Sequence, residues 1–123
     1  MSDETPEVVQ HADDAYEAIR AINHLTINAA SLPAPLVYSV LGNLKALGLS
    51  QALGQLASGL GRSLDTHNVH EDDGRDPVQS IAAATDHLTR AAELAAQLSD
   101  ELAKAQNAIS RQGYNEPSPN RSE

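Results

Sequence analysis

The sequence contains no cysteine, tryptophan or phenylalanine, and its 123 residues include only three tyrosines. Without cysteine the chain can form neither a disulfide framework nor a thiolate metal site, and we expect a cytoplasmic protein. With so few aromatic rings it has little to stack on a base, a sugar or a cofactor, so we predict no cofactor. The apolar residues are mainly 20 alanines and 15 leucines. This composition favours helices over strands.

Positive charge is also scarce. Lysine and arginine total 8 residues against 17 aspartates and glutamates, which gives a formal net charge of −9. No segment groups the basic residues so that they could follow a phosphate backbone, and direct nucleic-acid binding is therefore not expected. An acidic surface could instead mimic DNA and inhibit a DNA-binding protein, which is one alternative function.

Long apolar runs are absent as well. Residues 25–61 contain one charge, Lys45. However, Pro33, Pro35 and Asn43 interrupt this stretch well before the ~20 continuous apolar residues that a membrane-spanning helix needs. The first residues of the chain are acidic and lack an apolar signal segment. We therefore expect no membrane association, and we predict that a helix in this stretch is enclosed by partners on most sides.

The first helix is predicted over residues 6–30. Thr5 can act as its N-cap, and Pro6 can take the first helical position, where a missing N–H costs nothing. Apolar residues then recur at alternating spacings of four and three, the pattern of a bundle seam. They are Val8, Ala12, Ala15, Ile19, Ile22, Thr26 and Ala29. Pro33 and Pro35 should end the helix.

The second helix begins near Pro35, and its leucines follow two different registers. The change of register falls at Gly48, which can adopt the left-handed conformation that ends a helix, and Ser50 can cap a new start. We predict a kink or a break there and consider Gly48 a candidate hinge. This region contains further glycines, each of which lowers the stability of a helix. Glycines are usually found at such positions where another helix approaches closely. They are Gly42, Gly54, Gly59 and Gly61.

The third helix is predicted to start at Pro77, with Asp76 as its N-cap. Its apolar residues keep a strict seven-residue repeat over four heptads, which is typical of a coiled-coil seam. One heptad position holds Ile81, Leu88, Ala95, Leu102 and Ile109, and the other holds Ala84, Ala91, Leu98 and Ala105. Gly113 is the expected stop of the helix.

These elements predict an all-α fold, an antiparallel bundle of three long helices with a kinked or broken middle helix. The predicted organisation is an N-terminal tail over residues 1–5, a helical bundle domain over 6–112 and a disordered tail over 113–123. Because the helices differ in length, the end of the third one has seam residues without a partner in the chain. A homodimer in which two seams meet would cover them, and a compact monomer of three or four helices is the alternative. The predicted interface comprises Ile81, Leu88, Ala91, Ala95, Leu98, Leu102, Ala105 and Ile109.

One segment carries potential metal ligands, His67, His70, Glu71 and Asp73. Their nitrogen and oxygen donors suit zinc, manganese or nickel. Their order does not match the helical H-E-x-x-H arrangement, and a loop gives them no preset geometry, so a solvated acidic turn is the favoured interpretation. No nucleophile elbow, dinucleotide-binding loop or P-loop occurs in the sequence, and we predict that the protein is not an enzyme.

Four runs of sequence point to a family. They are AYEAIRAINH at 15–24, LGNLK at 41–45, GLGRSL at 59–64 and AQNAISRQGY at 105–114. With these runs the chain resembles a family of small, uncharacterised all-helical proteins encoded by actinobacterial genomes, plasmids and integrative elements, and the resemblance extends over nearly the whole chain. It implies a cytoplasmic bacterial protein and supplies no activity and no catalytic residues.

The sequence thus predicts a non-enzymatic helical module that self-associates through its third helix. It would present either region 36–64, whose only charges are Lys45 and Arg62, or the acidic loop to an unknown protein partner. Two alternatives stay open: an acidic mimic of nucleic acid, and a metal-dependent enzyme that uses His67 and His70.

Overall fold

The computed structural model describes residues 5–66, 74 and 76–113, and over these residues the protein is helical, without a β-strand. The predicted all-α class is therefore confirmed. The helices are α1 (Glu7–Thr26), α2 (Ala34–Lys45), α3 (Leu49–Thr66) and α4 (Pro77–Ala108). The chain divides into two compact units, Met1–Leu32 and Pro33–Glu123. Helix α1 belongs to the first unit and the other three helices to the second.

Helix α1 starts one residue later than predicted. Pro6 precedes the helix instead of occupying its first position, and its carbonyl oxygen accepts the backbone N–H groups of Val9 and Gln10, both at 3.0 Å. No side chain caps this end, so the predicted role of the Thr5 side chain is wrong. The Gln10 side chain instead donates to the carbonyl oxygen of Thr5 at 2.6 Å.

Helix α1 also ends four residues earlier than predicted, at Thr26. The Thr26 hydroxyl donates to the carbonyl oxygen of Ile22 at 2.9 Å. Such back-bonding, together with the low helix propensity of Thr26, Ile27 and Asn28, favours an end at this position over continuation toward Pro33.

The predicted break in the middle helix is confirmed. Helix α2 ends at Lys45, α3 begins at Leu49, and Gly48 between them has a φ of 74°. Glycine adopts this left-handed conformation at no steric cost. Ser50 does not cap the new helix as predicted, because the Gly48 carbonyl oxygen already accepts the backbone N–H of Ala52 at 3.0 Å. Helix α3 therefore starts ahead of Ser50.

The start of α4 is as predicted, and its end is not. The Oδ1 atom of Asp76 accepts a hydrogen bond of 3.0 Å from the backbone N–H of Val78, which is an N-cap interaction. The helix stops at Ala108, with Ile109 as its C-cap, well before Gly113. The Ser110 hydroxyl bonds to the carbonyl oxygen of Asn107 at 2.9 Å, an alternative to helical bonding for the backbone there. The predicted C-terminal tail beyond Gly113 lies outside the described residues.

Helix α4 is the central element of the second unit, since both α2 and α3 pack against it. The predicted bundle packing is thus supported in part, by the contacts of α2 and α3 with α4. Among the described residues, however, Ile81 is the one buried side chain, with 8% of its surface exposed. The helices therefore share contact strips rather than a closed core.

Candidate interaction surface

The residues of the predicted interface differ in exposure along α4. Ile81 is buried, and Leu98 and Ala105 are exposed. The remaining five are partly buried: Leu88, Ala91, Ala95, Leu102 and Ile109. The heptad position of Ala84 and Ala91 is therefore partly covered at first and changes to the open side at Leu98 and Ala105, whereas Leu102 and Ile109 stay partly buried.

The geometry of a straight helix explains this change of side. A seven-residue repeat shifts by about 20° per heptad around an unsupercoiled α-helix. Toward the C-terminal end of α4 the heptad residues Leu98 and Ala105 therefore turn outward. Their successors Ser99 and Gln106 turn inward and bond to α2. A prediction based on a constant heptad could not find these two polar residues.

The open side of α4 carries a pair of leucines one turn apart. Leu94 is 58% exposed and Leu98 is 52% exposed. Residues at i and i+4 lie on the same face of a helix, so the two side chains form one apolar strip. Leu94 lies outside the predicted seam, and its spacing of four from Leu98 is the sequence signal that could have identified it.

Helix α3 has a similar pair. Leu49 and Leu56 are 48% and 53% exposed, and a separation of seven residues places them on nearly the same face. The side of α3 that is more covered carries Leu53, Leu60 and Leu64. Helix α3 therefore has one leucine strip in contact with its neighbours and a second strip at its edge.

The contact between α2 and α4 includes three side-chain hydrogen bonds. The Ser99 hydroxyl donates to the carbonyl oxygen of Lys45 at 3.0 Å. The Gln106 side chain accepts from Lys45 Nζ at 2.9 Å and donates through Nε2 to the carbonyl oxygen of Tyr38 at 3.2 Å. Ser99 also satisfies one of the carbonyl groups that the end of a helix leaves without a partner.

In its own unit, α1 presents exposed apolar side chains, among them Val8, Tyr16 and Leu25. Glu17, Arg20, Ala21 and His24 lie together on one exposed face of α1, which by itself encloses no cavity. The ion pair between Glu17 and Arg20, at 3.5 Å, is solvent-exposed and contributes little to stability.

The metal-ligand candidates His67, His70, Glu71 and Asp73 lie outside the described residues. Within the described part of the chain, no three His, Cys, Asp or Glu side chains are grouped closely enough to hold a metal ion. None of the helices in that part combines the length and the apolar character needed to cross a bilayer.

Comparisons with known protein families, with curated proteins and with solved structures give no match to this chain. The resemblance to the actinobacterial family therefore stays a prediction.

Proposed function

We propose that this protein is a non-enzymatic helical module that self-associates through an apolar face of its second unit. We call this surface the leucine face and define it as Leu49, Leu56, Leu94 and Leu98. The observation that carries the proposal is the contrast in burial. These four leucines are each about half exposed, whereas the described residues bury a single side chain, Ile81. A second copy that covers the leucine face would provide the core that the isolated unit lacks.

The leucine face requires that the helices run antiparallel, as the sequence predicts. Two pairs of contacts support this orientation. Tyr38 and Lys45 are seven residues apart on α2, and they bond to Gln106 and Ser99, which are seven residues apart on α4 in the reverse order. If the chain continues in the same direction from α2 into α3, both helices run antiparallel to α4.

The antiparallel orientation brings the two leucine strips to one side. Seen along each helix from its N-terminus, the exposed leucines of α3 are rotated by roughly a quarter turn from the side of α3 that packs on α4. The exposed leucines of α4 are rotated by roughly a quarter turn, in the same direction, from the covered side of α4. In an antiparallel pair the two N-termini point in opposite directions, so equal rotations on the two helices bring both leucine strips to the same side of the pair. Two such faces stacked on each other would give a four-helix arrangement.

The expected affinity is modest. Full burial of a leucine contributes about 1.5 to 3 kcal/mol, so covering a half-exposed leucine contributes roughly 1 kcal/mol. Eight leucines from two copies would supply roughly 8 kcal/mol, from which an association cost of at least about 4 kcal/mol must be subtracted. The remaining free energy of about 4 kcal/mol corresponds to a weak dimer with a dissociation constant of about 1 mM.

Sedimentation equilibrium over a concentration series of the full chain tests the proposal. We expect the mass to rise from one to two copies with concentration, and Leu98→Glu to keep the protein monomeric, because a charge cannot enter the apolar contact. Ala96→Glu is the matched control, since it adds the same charge at an exposed position on the far side of α4. A wild-type chain that stays monomeric throughout, or equal effects of the two glutamates, would contradict the proposal.

A further inference from the structure

Helix α2 is held on α4 by partly buried apolar side chains and by a small number of polar contacts. Among the described residues, three side-chain hydrogen bonds join the two helices, and each links Ser99 or Gln106 on α4 to Tyr38 or Lys45 on α2. No side chain of α2 is buried. Its apolar residues Val37, Val40, Leu41 and Leu44 are only partly buried. The attachment therefore combines incomplete apolar burial with a few directional bonds, which weaken together when the geometry changes.

Gln106 is the centre of this contact. Its amide oxygen and its amide nitrogen are both used, one by Lys45 Nζ and the other by the Tyr38 carbonyl. The amide lies so close to α2 that a Cβ atom at Gly42 would be 2.8 Å from Nε2. Because Gly42 has no side chain, the Gln106 amide can occupy the space next to it.

The connection from α2 to α3 can act as a hinge. Residues 46–48 separate the two helices, and Gly48 already has a φ of 74°. Glycine populates both the left-handed and the right-handed regions, so rotation at this position has little steric cost. Helix α2 has 12 residues, a length at which an isolated helix is only marginally stable in water.

We propose that α2 is a releasable strap over the C-terminal half of α4, with Gln106 as its latch and Gly48 as its hinge. In the released state α2 leaves α4 and loses its helical hydrogen bonds, while α3 stays packed on α4. Release uncovers the side of α4 that carries Leu102, which is partly buried in the closed state. Leu102 lies one helical turn from Leu98, so release extends the leucine face along α4, and this inference rests in that respect on the proposed function. Exchange of the α2 amides tests the release without requiring a dimer.

Hydrogen–deuterium exchange of the full chain, read by mass spectrometry under native conditions, tests the strap. Amides of α2 should exchange at least about tenfold faster than those of α3, because local release needs less free energy than unfolding of the unit. Gln106→Ala should raise α2 exchange by about a further tenfold, since two hydrogen bonds are lost, and should change α3 exchange by less than about twofold.

Gln97→Ala is the matched control, because Gln97 is an exposed glutamine on the same helix. It should leave the exchange of both helices unchanged. Equal exchange rates for α2 and α3 in the wild-type chain would overturn the strap. An equal effect of Gln106→Ala on all helices, or no effect on α2, would overturn the role of Gln106 as its latch.

Discussion

Gly42 and Gln106 fit together across the contact between α2 and α4. The glycine has no Cβ, and the position such an atom would take is 2.8 Å from Nε2 of Gln106. The amide that fills this space bonds to the Tyr38 carbonyl and to Lys45 Nζ. A glycine inside a helix costs about 1 kcal/mol relative to alanine, and at this position the hydrogen bonds of Gln106 offset that cost.

The pairing predicts a strong non-additivity between Gly42→Ala and Gln106→Ala. In the wild-type background, Gly42→Ala gains up to about 1 kcal/mol of helix propensity but displaces the Gln106 amide, whose two hydrogen bonds contribute about 0.5 to 1.5 kcal/mol each. The single change should therefore be neutral or destabilising. In the Gln106→Ala background the same change should stabilise the protein by about 1 kcal/mol, because nothing remains to be displaced.

Urea unfolding of the four proteins of this double-mutant cycle, followed by circular dichroism, measures the coupling. We expect a coupling energy of about 1 to 3 kcal/mol. Gln97→Ala replaces Gln106→Ala in a control cycle and should give additive effects, because Gln97 lies exposed elsewhere on α4. Additive effects in the first cycle as well would show that Gly42 and Gln106 do not depend on each other.

Two glycines of the middle region should respond to alanine with opposite signs. Gly48 has a φ of 74°, where a Cβ clashes with the backbone, so Gly48→Ala should destabilise the protein by about 1 to 2 kcal/mol. Gly54 lies inside α3, and a Cβ there would meet nothing within 4 Å. Gly54→Ala should therefore stabilise the protein by up to about 1 kcal/mol.

Thermal unfolding of the two variants beside the wild type measures the difference. For a domain of this size a change of 1 kcal/mol shifts the melting temperature by roughly 2 to 8 °C. Because both changes are from glycine to alanine, their effects on the unfolded chain are similar and largely cancel in the comparison. A Gly48→Ala variant at least as stable as Gly54→Ala would mean that the break between α2 and α3 is not fixed by the conformation of Gly48.

Local sequence signals predicted the breaks of the chain well. Asp76 and Pro77 predicted the start of α4, and Gly48 predicted the break between α2 and α3. Both signals are local, because helix capping and the left-handed conformation depend on the identity of one or two residues. The sequence signals did not predict that α1 ends at Thr26 or that α4 ends at Ala108. There the helix stops through several weak effects, such as side-chain back-bonding of Thr26, rather than through a single glycine or proline.

The surfaces could be predicted only in part. The heptad of α4 placed Leu98 in the predicted seam, but the direction in which Leu98 points depends on the rotation of the helix over several turns. Ser99 and Gln106 look like ordinary polar positions in the sequence. Their role becomes visible only when Gly42 and Lys45 of another helix lie opposite them, which is information that a pattern within one helix does not contain.

The proposed dimer should become stronger as salt is added. Each copy carries a formal net charge of −9, so two copies repel each other at low ionic strength. The screening length falls from about 30 Å at 0.01 M salt to about 8 Å at 0.15 M, which weakens this repulsion but leaves the contact between leucine faces intact. We expect the dissociation constant to fall by roughly three- to tenfold over this range.

Sedimentation equilibrium at the two salt concentrations checks this expectation, and the same series on Leu98→Glu shows whether salt alone causes association by another route. That variant should stay monomeric at both concentrations. If added salt instead weakened the wild-type dimer, ion pairs between the copies would outweigh their net repulsion. The charged edge of α4 that carries Arg90 and Glu93 would then replace the leucine face as the contact to examine, because ionic contacts at a surface weaken with screening while apolar contacts do not.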